Sequence, residues 1–205
     1  MNRTVRACAA LLAGFTLLTG VLYPGLVTVA AGLLFPWQAG GSLVRRDGAI
    51  VGSRLIGQTF AGQEWFHGRP SASPGGPYDA YHSGGGNQGP LHPAWRDSVQ
   101  ARVVAARNRE CNNIAVPVDL VTASASGLDP HISPAGAYYQ VPRVARARGL
   151  PESAVRGLVA GNVRPRTLGL LGEPRVNVLE LNLALDTLAA AAPGETAAVT
   201  NGRTR

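Results

Sequence analysis

No charged residue lies between Arg6 and Arg45, and from Ala7 to Leu34 the chain is almost wholly apolar. A run of about 28 such residues exceeds the roughly 20 that let a helix cross the hydrocarbon of a bilayer. A cleaved secretory signal has an apolar stretch of about 7 to 15 residues before small residues at its cleavage site. Here the run passes Ala30 and Ala31 and continues through Leu33, Leu34 and Phe35, which reads as an uncleaved anchor. Tyr23-Pro24-Gly25 falls inside the span and predicts a kink, either a tolerated bend or a shape that fits a neighbouring helix. Phe35-Pro36-Trp37 ends the span with an aromatic at headgroup level. Arg3 and Arg6 flank one end and Arg45, Arg46 and Arg54 the other, so counting positive charge leaves the orientation open.

The remainder is large enough for one domain and no more. The expected division is residues 1–36 as an N-terminal segment with the transmembrane helix, 37–192 as one globular domain and 193–205 as a disordered tail. The fold class is α+β: a single N-terminal transmembrane helix followed by one small mixed α/β extramembrane domain. A net charge of +7 comes from arginine, with no lysine in the chain. These arginines are scattered without aromatic interleaving or a reading helix, which argues against nucleic acid as a partner. Cys8 lies in the span and Cys111 in the domain, so they cannot form one disulfide, and Cys111 reads as a small, partly buried hydrophobe.

Leu43-Val44, Ile50-Val51 and Leu55-Ile56, set between Gly48, Gly52 and Gly57, predict short strands with tight turns. From Gly68 to Pro93 the chain is too rich in Gly, Pro, Ser and Asn for a regular element. The interleaved Trp65, Phe66, Tyr78 and Tyr81 predict an ordered loop that packs its own aromatics or a partner. Pro93 opens a helix to about Arg109 whose stripe Trp95, Val99, Val103 and Ala106 is expected to dock on the sheet. Val116–Val121 reads as extended and Thr122–Gly127 as a loop. Ser133 caps a helix that starts at Pro134, is interrupted at Pro142 and stops at Gly149. A further helix follows Pro151, then a strand from Arg175 to Leu181 and a last helical segment to about Ala192.

The chemistry is sparse. Gly84, Gly86 and Gly89 have dinucleotide-loop spacing, but that motif needs a strand before it and a helix N-terminus at the phosphate, and Pro90 removes an amide donor. A chain without lysine has neither a Walker lysine nor an Asp-Lys-Thr-Gly phosphorylation segment, so it cannot drive ATP hydrolysis by either common scheme. Ser124, Ser126, Asp129 and His131 suggest a nucleophilic site, which keeps a membrane-anchored extracytoplasmic serine hydrolase as the alternative function. A triad is normally assembled from separated segments, however, and a nucleophilic serine sits on a glycine-flanked elbow. Asp119, Asp129 and His131 form a weak metal-ligand pattern, and no metal site or catalytic residue is assigned.

Several segments do carry a resemblance. GSLV from Gly41, GSRLIGQ from Gly52, FHGRPSA from Phe66 and SGGGNQGP from Ser83 recur in order with PVDLVTASASGLDPHIS from Pro117, QVPRVARA from Gln140 and VNVLELNLALD from Val176. Over roughly Leu18 to Leu188 the chain resembles the C subunit family of the Kdp potassium-transporting P-type ATPase. The resemblance implies a non-catalytic accessory subunit of a high-affinity potassium uptake pump. Its partners would be a channel-like potassium-binding subunit and a P-type ATPase subunit, whose ATP affinity it would raise as a catalytic chaperone. It implies no cofactor of its own, with ATP contacted only together with the ATPase subunit. It also implies a single pass in the plasma (inner) membrane, the N-terminus cytoplasmic and the domain extracytoplasmic. The nucleotide- or partner-contact candidates are Gln140, Ser83, Gly84, Asn87, Asp129 and His131. For Gln140 and the Gly84–Asn87 loop, helix surface and turn is the equal alternative.

Overall fold

The computed structural model describes residues 2–191; the tail expected from Pro193 onward lies outside the described residues. The chain divides into two compact units, one ending at Ser53 and the other beginning at Arg54.

The first unit is led by α1 (Arg3–Leu17), a π-helical segment (Leu18–Leu22) and α2 (Tyr23–Leu34), which run on as one helix of 32 residues. At 1.5 Å per residue this is about 48 Å long, enough to cross a hydrocarbon layer of about 30 Å. Its most apolar stretch has no buried residue. Pro24 does not break it. In an α-helix the proline ring collides with the carbonyl four residues back. Here the wider π turn, in which Tyr23 N–H reaches back to Leu18 O, opens that spacing one residue before the proline. A short α3 (Pro36–Ala39) follows, with Trp37 Nε1 donating to Leu43 O at 3.1 Å. Then come β1 (Leu43–Arg46) and β2 (Ala49–Ser53), an antiparallel hairpin with a bulge between Val44 and Arg45. Asp47 and Gly48 both take positive φ, 50° and 80°, the handedness that matches strand twist in a two-residue hairpin loop. Leu55-Ile56 forms a turn rather than a third strand; the hairpin closes at Ser53, whose Oγ donates to Gly41 O at 2.7 Å.

The second unit is built on a three-stranded antiparallel sheet ordered β3 (His131–Ile132), β5 (Arg175–Asn177), β4 (Val163–Arg164). Val176 pairs with Ile132 on one side and Val163 on the other. Helices α5 (Pro134–Arg148), α6 (Glu152–Asn162) and α7 (Val178–Ala191) pack on β5 and on one another. Phe66, Val141, Val144, Val155, Val159, Val176, Leu181 and Leu185 are fully buried at their junction.

Ser133 Oγ accepts from Gly136 N–H at 2.9 Å, Pro134 takes the first helical position, and Gly149 ends α5 at φ 64°. The expected interruption at Pro142 does not occur. An interior proline costs about 3 kcal/mol, and burial of Val141, Val144 and Ala145 on either side of it holds the helix together. The strand expected to run to Leu181 stops at Asn177, because Asn177 Oδ1 accepts from Glu180 N–H at 3.1 Å and caps α7.

α4 (Pro93–Glu110) has the expected stripe, with Trp95, Val99 and Val103 half-buried and Ala106 buried. It packs on α5 rather than on the sheet. Val118–Leu120 is a 3₁₀ turn rather than an extended run, and this aims Asp119 at the α5 cap, accepting from Ser133 N–H at 2.7 Å and Ser133 Oγ at 3.0 Å.

Candidate functional site

The residues from Gln63 to His67 lie in no strand, yet all five of their carbonyls and the N–H groups of Phe66 and His67 are paired by side chains. Asn182 Nδ2 donates to Phe66 O at 3.0 Å and its Oδ1 accepts from Phe66 N–H at 2.9 Å. Gln140 does the same one residue on, Nε2 to His67 O at 3.0 Å and His67 N–H to Oε1 at 2.8 Å. Two amides, from α7 and α5, thus stand in for the neighbouring strands of a sheet. Arg143 donates to Gln63 O, to Trp65 O at 2.9 Å and to Gln140 Oε1 at 2.9 Å. Arg148 donates to Glu64 O at 3.0 Å and lies 4.3 Å over the Trp65 ring. Phe66 is thereby held with its ring in the core.

Gln140 is 1 % exposed. With Gly136 O as a second acceptor at 3.2 Å and Arg143 as a second donor, both its N–H groups and both oxygen lone pairs are engaged inside the domain. It is an interior clamp, behind the surface rather than on it. Behind it again, Arg143 Nε sits 2.9 Å from Glu110 Oε1, with both side chains almost fully buried. Burial pushes the Glu110 carboxyl up, against the pull of Arg143, which favours the ionised form.

Beside the clamp, His67 Nε2 lies 2.9 Å from Gly62 O and must donate there, so Nδ1 accepts from Arg109 Nη1 at 2.9 Å. Burial, with Arg143 and Arg109 nearby, lowers its pKa from 6.5 to about 4. Between these values the unfolded chain binds more protons than the folded one, so stability is full above pH 6.5 and falls as the pH drops towards 4. We expect thermal unfolding of the full chain in detergent to come at lower temperature at pH 5 than at pH 7. His67→Gln should flatten that difference; an unchanged profile would remove His67 as its source.

The other candidates fall into two groups, neither of which includes Gln140. Asp129 and His131 line an open groove of about 510 Å³ with Arg69, Asp119 and Arg175. Asp129 receives Arg69 Nη1 at 3.1 Å, and its other oxygen faces His131 N at 3.0 Å and Nδ1 at 3.2 Å. Burial alone would raise the Asp129 carboxyl, but hydrogen bonds from His131 and Arg69 hold it below the usual carboxylate range. Ser83 and Gly84 rest on the Thr122–Gly127 loop: Gly84 N–H and Ser83 Oγ both donate to Ser126 O, at 2.9 and 3.0 Å. The approach is close enough that a Cβ on Gly85 would lie 2.9 Å from Ala125 O, and one on Gly127, at φ 68°, would meet Ser73 Oγ. Asn87 then lines a second cleft of about 510 Å³ between this loop and α4, with Gly86, Trp95, Arg102 and Ser124.

Ser126 Oγ accepts from Leu128 N–H at 3.1 Å, and among the described residues no hydrogen bond joins Ser124 or Ser126 to His131. Among the expected loop aromatics, Phe66 is buried and Tyr78 donates to Arg69 O at 2.7 Å, whereas Tyr81 is exposed. Cys111 is exposed rather than partly buried, because it ends α4 in the left-handed region at φ 51°.

Sequence reasoning missed Arg143, Arg148, Asn182 and Glu110. The signal was present: Gln140 and Arg143 sit three apart on one helical face within a motif already marked, and Asn182 lies in another. It also passed over the turn Thr167–Leu171, closed by an Arg166–Glu173 ion pair, which leaves Leu168, Leu170 and Leu171 exposed.

Residues 5–187 match the family described as KdpC: K+-transporting ATPase, c chain. A potassium-transporting ATPase KdpC subunit of Polaromonas naphthalenivorans is 60 % identical over 189 residues, covering 92 % of this chain and 96 % of that one. One of Methylobacterium nodulans is 55 % identical over 200 residues, covering 92 % and 99 %. One of Variovorax paradoxus is 57 % identical over 192 residues, covering 93 % and 100 %.

Proposed function

The chain belongs to the KdpC family, the c chain of the K+-transporting ATPases, and from that premise we propose that it is the pump's non-catalytic accessory subunit. It is held in the membrane by Arg3–Leu34 and assembled there with the channel-like potassium-binding subunit and the P-type ATPase subunit. The observation that carries this reading is the anchor itself: a 32-residue helix with its apolar side chains exposed, such as Leu12, Leu26 and Leu33 at 70 % or more. Such a surface is stable only in lipid or against other membrane helices.

In this reading the domain contributes shape rather than chemistry. Asn87 at one cleft, with the neighbouring Ser83 and Gly84 resting on the Thr122–Gly127 loop, and Asp129 and His131 at the other groove, form the contact surface for partner chains. Gln140 sets that surface from behind by fixing the Gln63–His67 stretch. The subunit raises the ATP affinity of the ATPase subunit by stabilising the assembled pump, and any contact with ATP is made together with that subunit. With the pump purified with and without this chain, ATPase activity should reach half-maximum at a lower ATP concentration when the chain is present. Equal values in the two preparations would sink the affinity role.

The same reading places the N-terminus in the cytoplasm and the domain outside. Cys111 is exposed and Cys8 lies in the span, so a Cys8→Ser chain carries one thiol that reports on sidedness. A membrane-impermeant maleimide added to spheroplasts should label it without lysis, and labelling that requires lysis would place the domain inside.

A further inference from the structure

The helix that anchors the chain has a gap in its own hydrogen bonding near its middle. In an α-helix the carbonyls of Thr19 and Gly20 accept from the N–H groups of residues 23 and 24. Here Tyr23 N–H is drawn to Leu18 O by the π turn, and Pro24 has no N–H to give. From Tyr23 on the helix is α again, so Leu22 O, at the cap position, takes the next regular bond. Gly25 N–H alone is left to serve the carbonyls of Thr19, Gly20 and Val21. The Thr19 hydroxyl does not relieve the shortage, because it donates to Phe15 O at 2.7 Å.

The gap lies near the middle of Arg3–Leu34, with about 24 Å of helix before Thr19 and about 21 Å after Gly20. Bulk water and lipid headgroups lie far from that depth, and hydrocarbon offers no donor. Backbone freed at a proline inside a membrane is re-satisfied by π adjustment, Ser/Thr hydroxyls, ordered water or neighbouring helices. Here the π turn still leaves the shortage and the Thr19 hydroxyl is spent on Phe15 O, which points to a neighbouring helix. The site is also open to approach. Gly20 and Gly25 leave the backbone bare on either side of Pro24, and a Cβ on either would meet nothing within 4 Å.

We propose that the Thr19–Gly20 backbone is an acceptor site for a donor side chain, a hydroxyl or an amide N–H, on a transmembrane helix of a partner subunit. Pro24 and the π turn thus act as an assembly device. This deepens the accessory-subunit reading and rests on it. Leucine side chains elsewhere on the helix give contact without register, whereas a carbonyl pair at one depth fixes which residue of the partner sits opposite.

The test is recovery of the partner subunits with a tagged full chain from membranes in mild detergent, for the natural chain, Pro24→Ala and Gly20→Leu, with Gly32→Leu as the control near the helix end. Pro24→Ala restores the missing N–H, and Gly20→Leu covers the bare backbone; both leave the span apolar, which the amount of chain in the membrane fraction checks. Interhelical hydrogen bonds of this kind correspond to about three- to fifteenfold in association. Loss of that order is expected for Pro24→Ala and Gly20→Leu, and none for Gly32→Leu. Recovery of both variants with partners at the natural level overturns the inference while leaving the accessory role standing. Recovery of the natural chain with only a second copy of itself, or alone, overturns both.

Discussion

Arg143→Ala should cost about 3–5 kcal/mol of folding stability, the loss seen when one partner of a buried ion pair is removed. Against a typical total of about 5–15 kcal/mol this is a large share. The substitution leaves Glu110 buried with neither carboxylate oxygen paired, since Arg143 is the partner of Oε1 and Oε2 already has none among the described residues. It also strips a donor from the carbonyls of Gln63 and Trp65 and from Gln140 Oε1. The guanidinium is therefore worth more than an ion pair: it ties α4, α5 and the irregular stretch before Phe66 together. Replacing both charged residues, as Arg143→Met with Glu110→Leu, should recover part of the loss, because an apolar pair leaves no buried charge. The two carbonyls keep the recovery incomplete. Urea unfolding of the full chain in detergent checks this, and a loss below about 1 kcal/mol for Arg143→Ala would mean that water reaches the pair.

Elements set by local chemistry were legible in the sequence. Ser133 before Pro134, Gly149 after Arg148 and the tight turn at Gly48 between Leu43-Val44 and Ile50-Val51 each carry their own signal, and each is found where it was expected. The span was legible because absence of charge over such a length has few other readings. What failed was whatever depends on a distant neighbour. Pro142 reads as a break until the core around Val141 and Val144 is known, and Val178–Leu181 alternates like a strand until Asn177 caps it into a helix.

The candidate site was half legible for the same reason. Motif resemblance marked Gln140, Ser83, Gly84, Asn87, Asp129 and His131, but their roles depend on which way each faces. Gln140 turns inward onto the backbone of His67, across 73 residues of chain, and nothing in the local pattern announces that pairing. The glycines carried a signal that went unread. Gly85 and Gly127 lie where two loops touch backbone to backbone, which their runs of small residues foreshadow.

The largest effect is expected from the anchor. The first unit carries a helix of 32 residues with an exposed apolar surface, and the second, beginning at Arg54, has a core of its own. Removing Arg3–Leu34 should therefore abolish membrane association and, with it, recovery of pump partners, while the core around Phe66, Leu181 and Leu185 survives. Loss of assembly without loss of fold separates an anchored accessory subunit from a domain that acts by itself.

The most direct measurement is recovery of a C-terminally tagged chain from its native membranes in mild detergent, in full-length form and without residues 3–34. The account predicts that the full-length chain brings out two larger subunits, one channel-like and one P-type ATPase, and that the shortened chain brings out neither. A full-length chain recovered alone, or a shortened one that still carries both partners, would contradict it.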